Sequence, residues 1–141
     1  MNPMPDAVVI ERLNEILAEE VEAAVRYLHL AMSVKGLDRL LVRDTLFEGM
    51  QETLQHAQMI SERLSHMGAN PRIRINIDLE STRISGAEAI QNAVAVEEQA
   101  LEAYRELLEL VENDIALEEF VRDQVSLETQ HVADLRLLLE D

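Results

Sequence analysis

Three apolar frames advance in alternating steps of three and four residues, and each is broken near its middle by a carboxylate. The first runs Ile10, Leu13, Leu17, Glu20, Ala24, Tyr27 and Ala31; the second Ile90, Val94, Glu97, Leu101, Tyr104, Leu108 and Val111. The third runs Leu117, Val121, Gln124, Glu128, His131, Leu135 and Leu138. Such steps line one stripe of an α-helix, the stripe by which bundled helices meet. A carboxylate there must be neutralised, paired or bound to a cation, because burying an uncompensated charge costs several kcal/mol.

Punctuation divides the chain into four helical segments. The first starts after Pro5 with Asp6 as N-cap and runs to about Lys35, where Gly36 stops it. The second spans Asp38 to about Met67 before Gly68. Ser85 and Glu88 form a capping box that opens the third, which extends to about Glu112; Asn113 and Asp114 break the chain before the fourth, which runs to the C-terminus. Apolar residues make up 48% of the chain with only 4 Gly, 3 Pro and no Cys, a composition that favours helix throughout. A single all-α domain over residues 1–141 is expected, a length sufficient for its own core.

Between the second and third segments lies ANPRIRINIDLESTRI. RIRINIDL alternates like a strand, but without a partner strand it reads as an extended crossover. At roughly 3.3 Å per residue the crossover can run the length of a helix. Two helical hairpins therefore follow, one before and one after it, with the second and third helices parallel.

The carboxylates share a level. Glu20 lies 16 residues before Gly36 and Glu52 lies 16 after it; Glu97 is 16 before Asn113 and Glu128 is 15 after it. The halves also repeat. Tyr27 and Tyr104, the only tyrosines, each follow a frame glutamate by seven, and ETLQHA at 52–57 is echoed by ETQHVA at 128–133. A pseudo-twofold axis would pass through Glu20, Glu52, His56, Glu97, Glu128 and His131. Four carboxylates raise one another's pKa values unless cations compensate them, and two divalent ions would do so. Mixed carboxylate and imidazole donors suit iron or manganese, with zinc a possible occupant. Tyr27 and Tyr104 are candidates to hydrogen-bond the ligand carboxylates.

LNEILAEEVEAAVRYLHL, HA at His56, AVEEQAL and ETQH make the chain resemble the ferritin-like di-iron carboxylate superfamily, bacterioferritin most of all, over nearly its full length. The resemblance implies a ferritin-like four-helix bundle with Glu20 and Glu97 as terminal ligands, Glu128 as a bridge, and His56 and His131 as nitrogen ligands. It further implies a ferroxidase that oxidises Fe(II) with O2 or H2O2 for iron storage or detoxification, and a homo-oligomer. Three differences stand out. Aligned on His56, Thr53 replaces the second bridging glutamate and Glu52 falls one position early. Neither Thr53 nor Leu54 supplies the haem methionine, so haem is not expected. With the sequence ending at Asp141, the short fifth helix that helps ferritin cages close is not expected.

For Glu52 two routes to the centre stay open: direct reach at i,i+4 spacing, or a π-bulge eased by Gly49. The opposing reading puts Thr53 in the ligand position. His29 and His66 read as surface or satisfied histidines, and Glu19, Glu22, Glu98 and Glu102 as solvated face; Glu48 reads as surface charge, with an auxiliary iron site the alternative. A net charge of −16 disfavours nucleic acid and anionic membranes. The cysteine-free chain, with no signal peptide or apolar run of membrane length, is expected in the cytoplasm. The expected function is a di-iron ferroxidase. A di-iron or di-manganese oxidoreductase acting on peroxide or another substrate, and a non-catalytic bundle with a degenerate metal site, are the alternatives.

Overall fold

Apolar stripes of period 3.6 become four long helices: α1 Met4–Ser33, α2 Asp38–His66, α3 Gly86–Leu110 and α4 Ile115–Leu137. The computed structural model describes residues 4–80 and 82–140; Asp141, on which the fifth-helix expectation rests, lies outside them. Asp6 sits within the first turn of α1, where its charge favours the helix N-terminus, and does not cap it.

Local chemistry sets the other ends. Gly36 and Gly68 adopt φ of 65° and 76°, a left-handed conformation that glycine takes without strain; Gly68 closes α2, and Gly36 turns the chain from α1 towards α2. Ser85 accepts the backbone N–H of Glu88 at 3.1 Å, the expected N-cap of α3. Asp114 accepts that of Leu117 at 3.1 Å, so the predicted break is also the cap of α4. α3 and α4 end slightly earlier than expected, at Leu110 and Leu137.

α1 stops at Ser33 because the chain then pairs with the end of the crossover. Lys35 N–H donates to Ile84 at 3.0 Å and Ile84 N–H to Ser33 at 3.1 Å, an isolated parallel bridge between Val34 and Ile84. Among the described residues, the crossover thus finds a backbone partner here, at Ile84 beyond the alternating RIRINIDL stretch. Earlier along its path Arg72 N–H donates to Asn14 at 2.7 Å and Asn76 N–H to Glu22 at 3.1 Å. The crossover therefore tracks α1 along its length and delivers the chain to the start of α3. There Asp38 accepts Gly86 N–H at 2.8 Å, joining the N-termini of α2 and α3 and confirming their parallel course.

The core falls into two apolar clusters. One gathers Leu13, Leu17, Ile60, Leu64, Tyr104 and Val121; the other gathers Tyr27, Ala31, Leu46, Ile90, Ala93 and Leu135. The frame carboxylates form a polar layer between them. Leu138, placed on the α4 frame, is instead largely exposed beyond the helix end.

Candidate metal centre

Each helix delivers a side chain to this polar layer: Glu20 from α1, His56 from α2, Glu97 from α3, Glu128 and His131 from α4. Glu20, His56, Glu97 and Glu128 are buried and His131 is partly buried. Two groups of potential ligand atoms converge, Glu20 with His56 and Glu128 (position A), and Glu97 with Glu128 and His131 (position B); within each group the atoms lie within 4.8 Å of one another. Glu128, only 1% exposed, belongs to both. The two imidazoles are nearly parallel, 9° apart with centroids separated by 6.3 Å.

At position A, His56 Nδ1 is 3.2 Å from both Glu20 Oε2 and Glu128 Oε1, yet aligned for a hydrogen bond with neither. At position B, His131 Nδ1 is 3.8 Å from Glu97 Oε2 and from Glu128 Oε2. Glu20 Oε2, His56 Nδ1, Glu128 Oε2 and His131 Nδ1 are all buried without a hydrogen-bond partner. Buried polar atoms are normally satisfied. Orphaned carboxylate and imidazole atoms facing a common point fit a divalent cation of the iron, manganese or zinc type.

The protonation pattern reflects the crowding. Burial pushes Glu20 and Glu97 upward, Glu97 to about 7, with neighbouring Glu128 adding to the effect and His131 opposing it. Burial alone would raise Glu128 too, but His131 and His56 outweigh it and hold Glu128 down at about 2. Burial works against the His56 cation, and Glu128 and Glu20 overcome it, bringing His56 up to about 10. Glu128 and Glu97 raise His131 to about 10 against its own burial. Without metal, the two histidinium ions are the cluster's own counter-charges.

Glu52 is not brought into either group. α2 is regular α-helix throughout, with no π-bulge, so the i,i+4 offset turns Glu52 outward, where its side chain is 48% exposed. Its Oε2 lies 3.1 Å from His131 Nε2, on the ring nitrogen facing away from Glu97 and Glu128. Thr53 takes the buried place, 5% exposed, with its hydroxyl donating to Gly49 O at 2.7 Å. Counted from His56 to His131, the internal offset is 75 residues, which pairs Thr53 with Glu128 and Gly49 with Gln124.

Gly49 has a different role from easing a bulge. A Cβ there would lie 2.5 Å from Cε1 of Tyr27, so the missing side chain makes room for that ring. Tyr27 then donates to Glu97 Oε1. Its counterpart Tyr104 is fully buried, but its hydroxyl is unpartnered, as are both polar atoms of the 1%-exposed Gln124. In the sequence Gln124 is a neutral amide one turn before Glu128 in an apolar frame, so it carries no charge to mark it as part of the centre. His66 is exposed and His29 half-buried, both outside the centre. Glu98 is on the surface and pairs with Arg136.

Four antiparallel-hairpin helices around paired carboxylate and histidine groups define a ferritin-type bundle. Residues 10–141 match the family model described as ferritin, ferritin-like domain, and the chain belongs to that family. A ferritin-like, diiron-carboxylate protein from Bacillus anthracis str. Ames superposes with a TM-score of 0.84 at 25% identity, covering 99% of this chain and 100% of its own. A Bacillus brevis Dps protein gives 0.88 at 19% identity, covering 99% and 100%. The Desulfovibrio desulfuricans bacterioferritin, a structure whose diiron site was studied in different catalytic states, gives 0.86 at 20% identity, covering 99% and 82%. The last two likenesses show the fold. No curated protein sequence matches the chain. Among the described residues no helix is long and apolar enough to cross a membrane.

Proposed function

We propose that this chain, acting as one ferritin-like domain, is a ferroxidase: it takes Fe(II) as substrate at an intra-bundle di-iron centre and delivers Fe(III) for iron storage or detoxification. The observation that carries this reading is the pair of carboxylate and imidazole groups sharing Glu128, with their buried donor atoms unpartnered. Paired iron ions supply the electrons that reduce O2 or H2O2. The residues set the conditions for this. Glu20, Glu97 and Glu128 would offset the charge of the cations, and His56 and His131 would supply nitrogen donors once each gives up its added proton. Tyr27 fixes the rotamer of Glu97 through its hydrogen bond.

Membership of the ferritin-like family and the likeness to the diiron-carboxylate protein support the iron assignment. A homo-oligomer in the cytoplasm belongs to the same reading, as does a site without haem or nucleic acid. Thr53 favours one rival, a non-catalytic bundle with a degenerate metal site, because it leaves a single shared carboxylate.

Anaerobic Fe(II) titration followed by exposure to O2 or H2O2 separates them. The ferroxidase binds two Fe(II) per chain and oxidises them, and Glu128→Ala removes the reaction. The degenerate site binds fewer than two. An unchanged oxidation rate in Glu128→Ala would end the proposal.

A further inference from the structure

The two metal positions are built unequally, and the inequality lies in this chain's own residues. Resting on the di-metal reading above, we propose that they fill in a fixed order: position B first, through a cleft between α2 and α4, and position A second.

Three observations carry this. First, Thr53 occupies the place where a second shared carboxylate would make the positions alike, and its hydroxyl is committed to Gly49 O. Each position then depends on its own surroundings beyond Glu128. Second, those surroundings differ. At position B, Glu52 stands 3.1 Å from the far nitrogen of His131. A carboxylate there fixes the ring and raises the basicity of the ligating nitrogen. The residue related to Glu52 by the 75-residue offset is Leu127, which offers His56 nothing comparable. Among the described residues His56 pairs only with Glu20 and Glu128, both at Nδ1.

Third, access differs. A cleft of about 140 Å³ reaches Glu97 and His131 and is flanked by the exposed acids Glu48, Glu52 and Asp134. Like-signed rim charges concentrate cations at the mouth of such a cleft. Position A is closed on all three of its ligands. The hollow beside Glu20 is only about 50 Å³, lined by Glu19, Glu22 and Arg26 among others, and leaves less room for an entering ion than the cleft. A metal ion entering by the cleft therefore meets His131 and Glu97 first, and position A, joined to B only through Glu128, fills second.

Anaerobic titration of the full chain with Co(II), read by its visible absorption, tests the order without any turnover. The wild type is expected to bind two Co(II) in resolved steps. Glu20→Gln should abolish the weaker step and keep the tighter one. Glu97→Gln should abolish the tighter step. Glu52→Gln, at a half-exposed position where folding is not at stake, should weaken the tighter step roughly tenfold and leave the other unchanged. Two indistinguishable steps, loss of the tight step in Glu20→Gln, or no effect of Glu52→Gln would overturn the order while leaving a di-metal site standing. Binding of fewer than two Co(II) by the wild type would overturn both.

Discussion

Tyr27 of α1 donates its phenolic proton across the bundle to Oε1 of Glu97 on α3. This bond joins the two hairpins inside the core and satisfies one oxygen of a carboxylate already strained by burial. Tyr27→Phe keeps the ring and deletes only the bond. Above pH 7, where Glu97 is ionised, a buried hydrogen bond to a charged group contributes about 1.5–3 kcal/mol, so urea unfolding of the metal-free protein at mildly alkaline pH should show a loss of that order. An unchanged midpoint would mean that the bond does not persist in solution.

Gly49→Ala should destabilise, against the rule for an exposed helix. Replacing a mid-helix glycine with alanine ordinarily gains about 1 kcal/mol. Here the new Cβ would meet the Tyr27 ring at 2.5 Å and displace it from Glu97. A net loss of about 1–3 kcal/mol in chemical denaturation is expected, with a changed tyrosine signal in near-ultraviolet circular dichroism. A gain in stability would show that the ring relocates freely.

Metal binding should release protons and strengthen with pH. His56 and His131 stand at about 10 in the folded metal-free protein against 6.5 unfolded, so both are cations at neutral pH and must deprotonate to ligate. Titration with Zn(II) in weak buffer at pH 7 should therefore acidify the solution. For the metal-free fold the signs are separate. The histidine contribution is complete below pH 6.5 and is lost as pH rises through 10; that of Glu128 is complete above 4.5 and is lost as pH falls towards 2. Glu97, raised to about 7, adds a cost as it ionises between 4.5 and 7. Thermal unfolding of the metal-free protein should thus peak in the mildly acidic range. A maximum above pH 8 would contradict the ion-paired cluster.

Gln124→Leu should leave the metal-free protein as stable or more so. Both amide atoms are buried without partners, and leaving such groups unmade costs about 1–3 kcal/mol each. Leucine removes that cost in a similar volume. A loss of more than about 2 kcal/mol on denaturation would mean that the amide is satisfied in solution, for example by an internal water.

The bundle and most of its centre are legible in the sequence because both rest on period and level. Glu20, Glu97 and Glu128 interrupt apolar frames, and two counts of 16 from the turns bring Glu20 and Glu52 to one height. Level, however, is not azimuth. Moving from i,i+3 to i,i+4 turns a side chain through about 100°, enough to take Glu52 from the seam to the rim while leaving it within reach of His131 from behind. Gly49 was equally opaque: its meaning lies in a ring 22 residues away, which no local pattern encodes. The Val34–Ile84 bridge escaped for the same reason, since a single backbone pairing leaves no alternation to read.

One of the two metal positions spans both hairpins, and the other is held from across the bundle. Position A takes Glu20 and His56 from the first half and Glu128 from the second; position B lies in the second half but borrows Glu52 and Tyr27 from the first. The centre therefore works as a clasp between the halves, inside the bundle, where the crossover joins them only along its outside. By linkage, an ion that binds only the closed bundle opposes separation of the hairpins by RT ln(1 + L/Kd), with L the free metal concentration, so the clasp tightens as free metal rises above Kd. Were the chain cut within the crossover, a metal ion bound there would become the glue that reassembles it, and the centre would double as a sensor of whether the protein is whole.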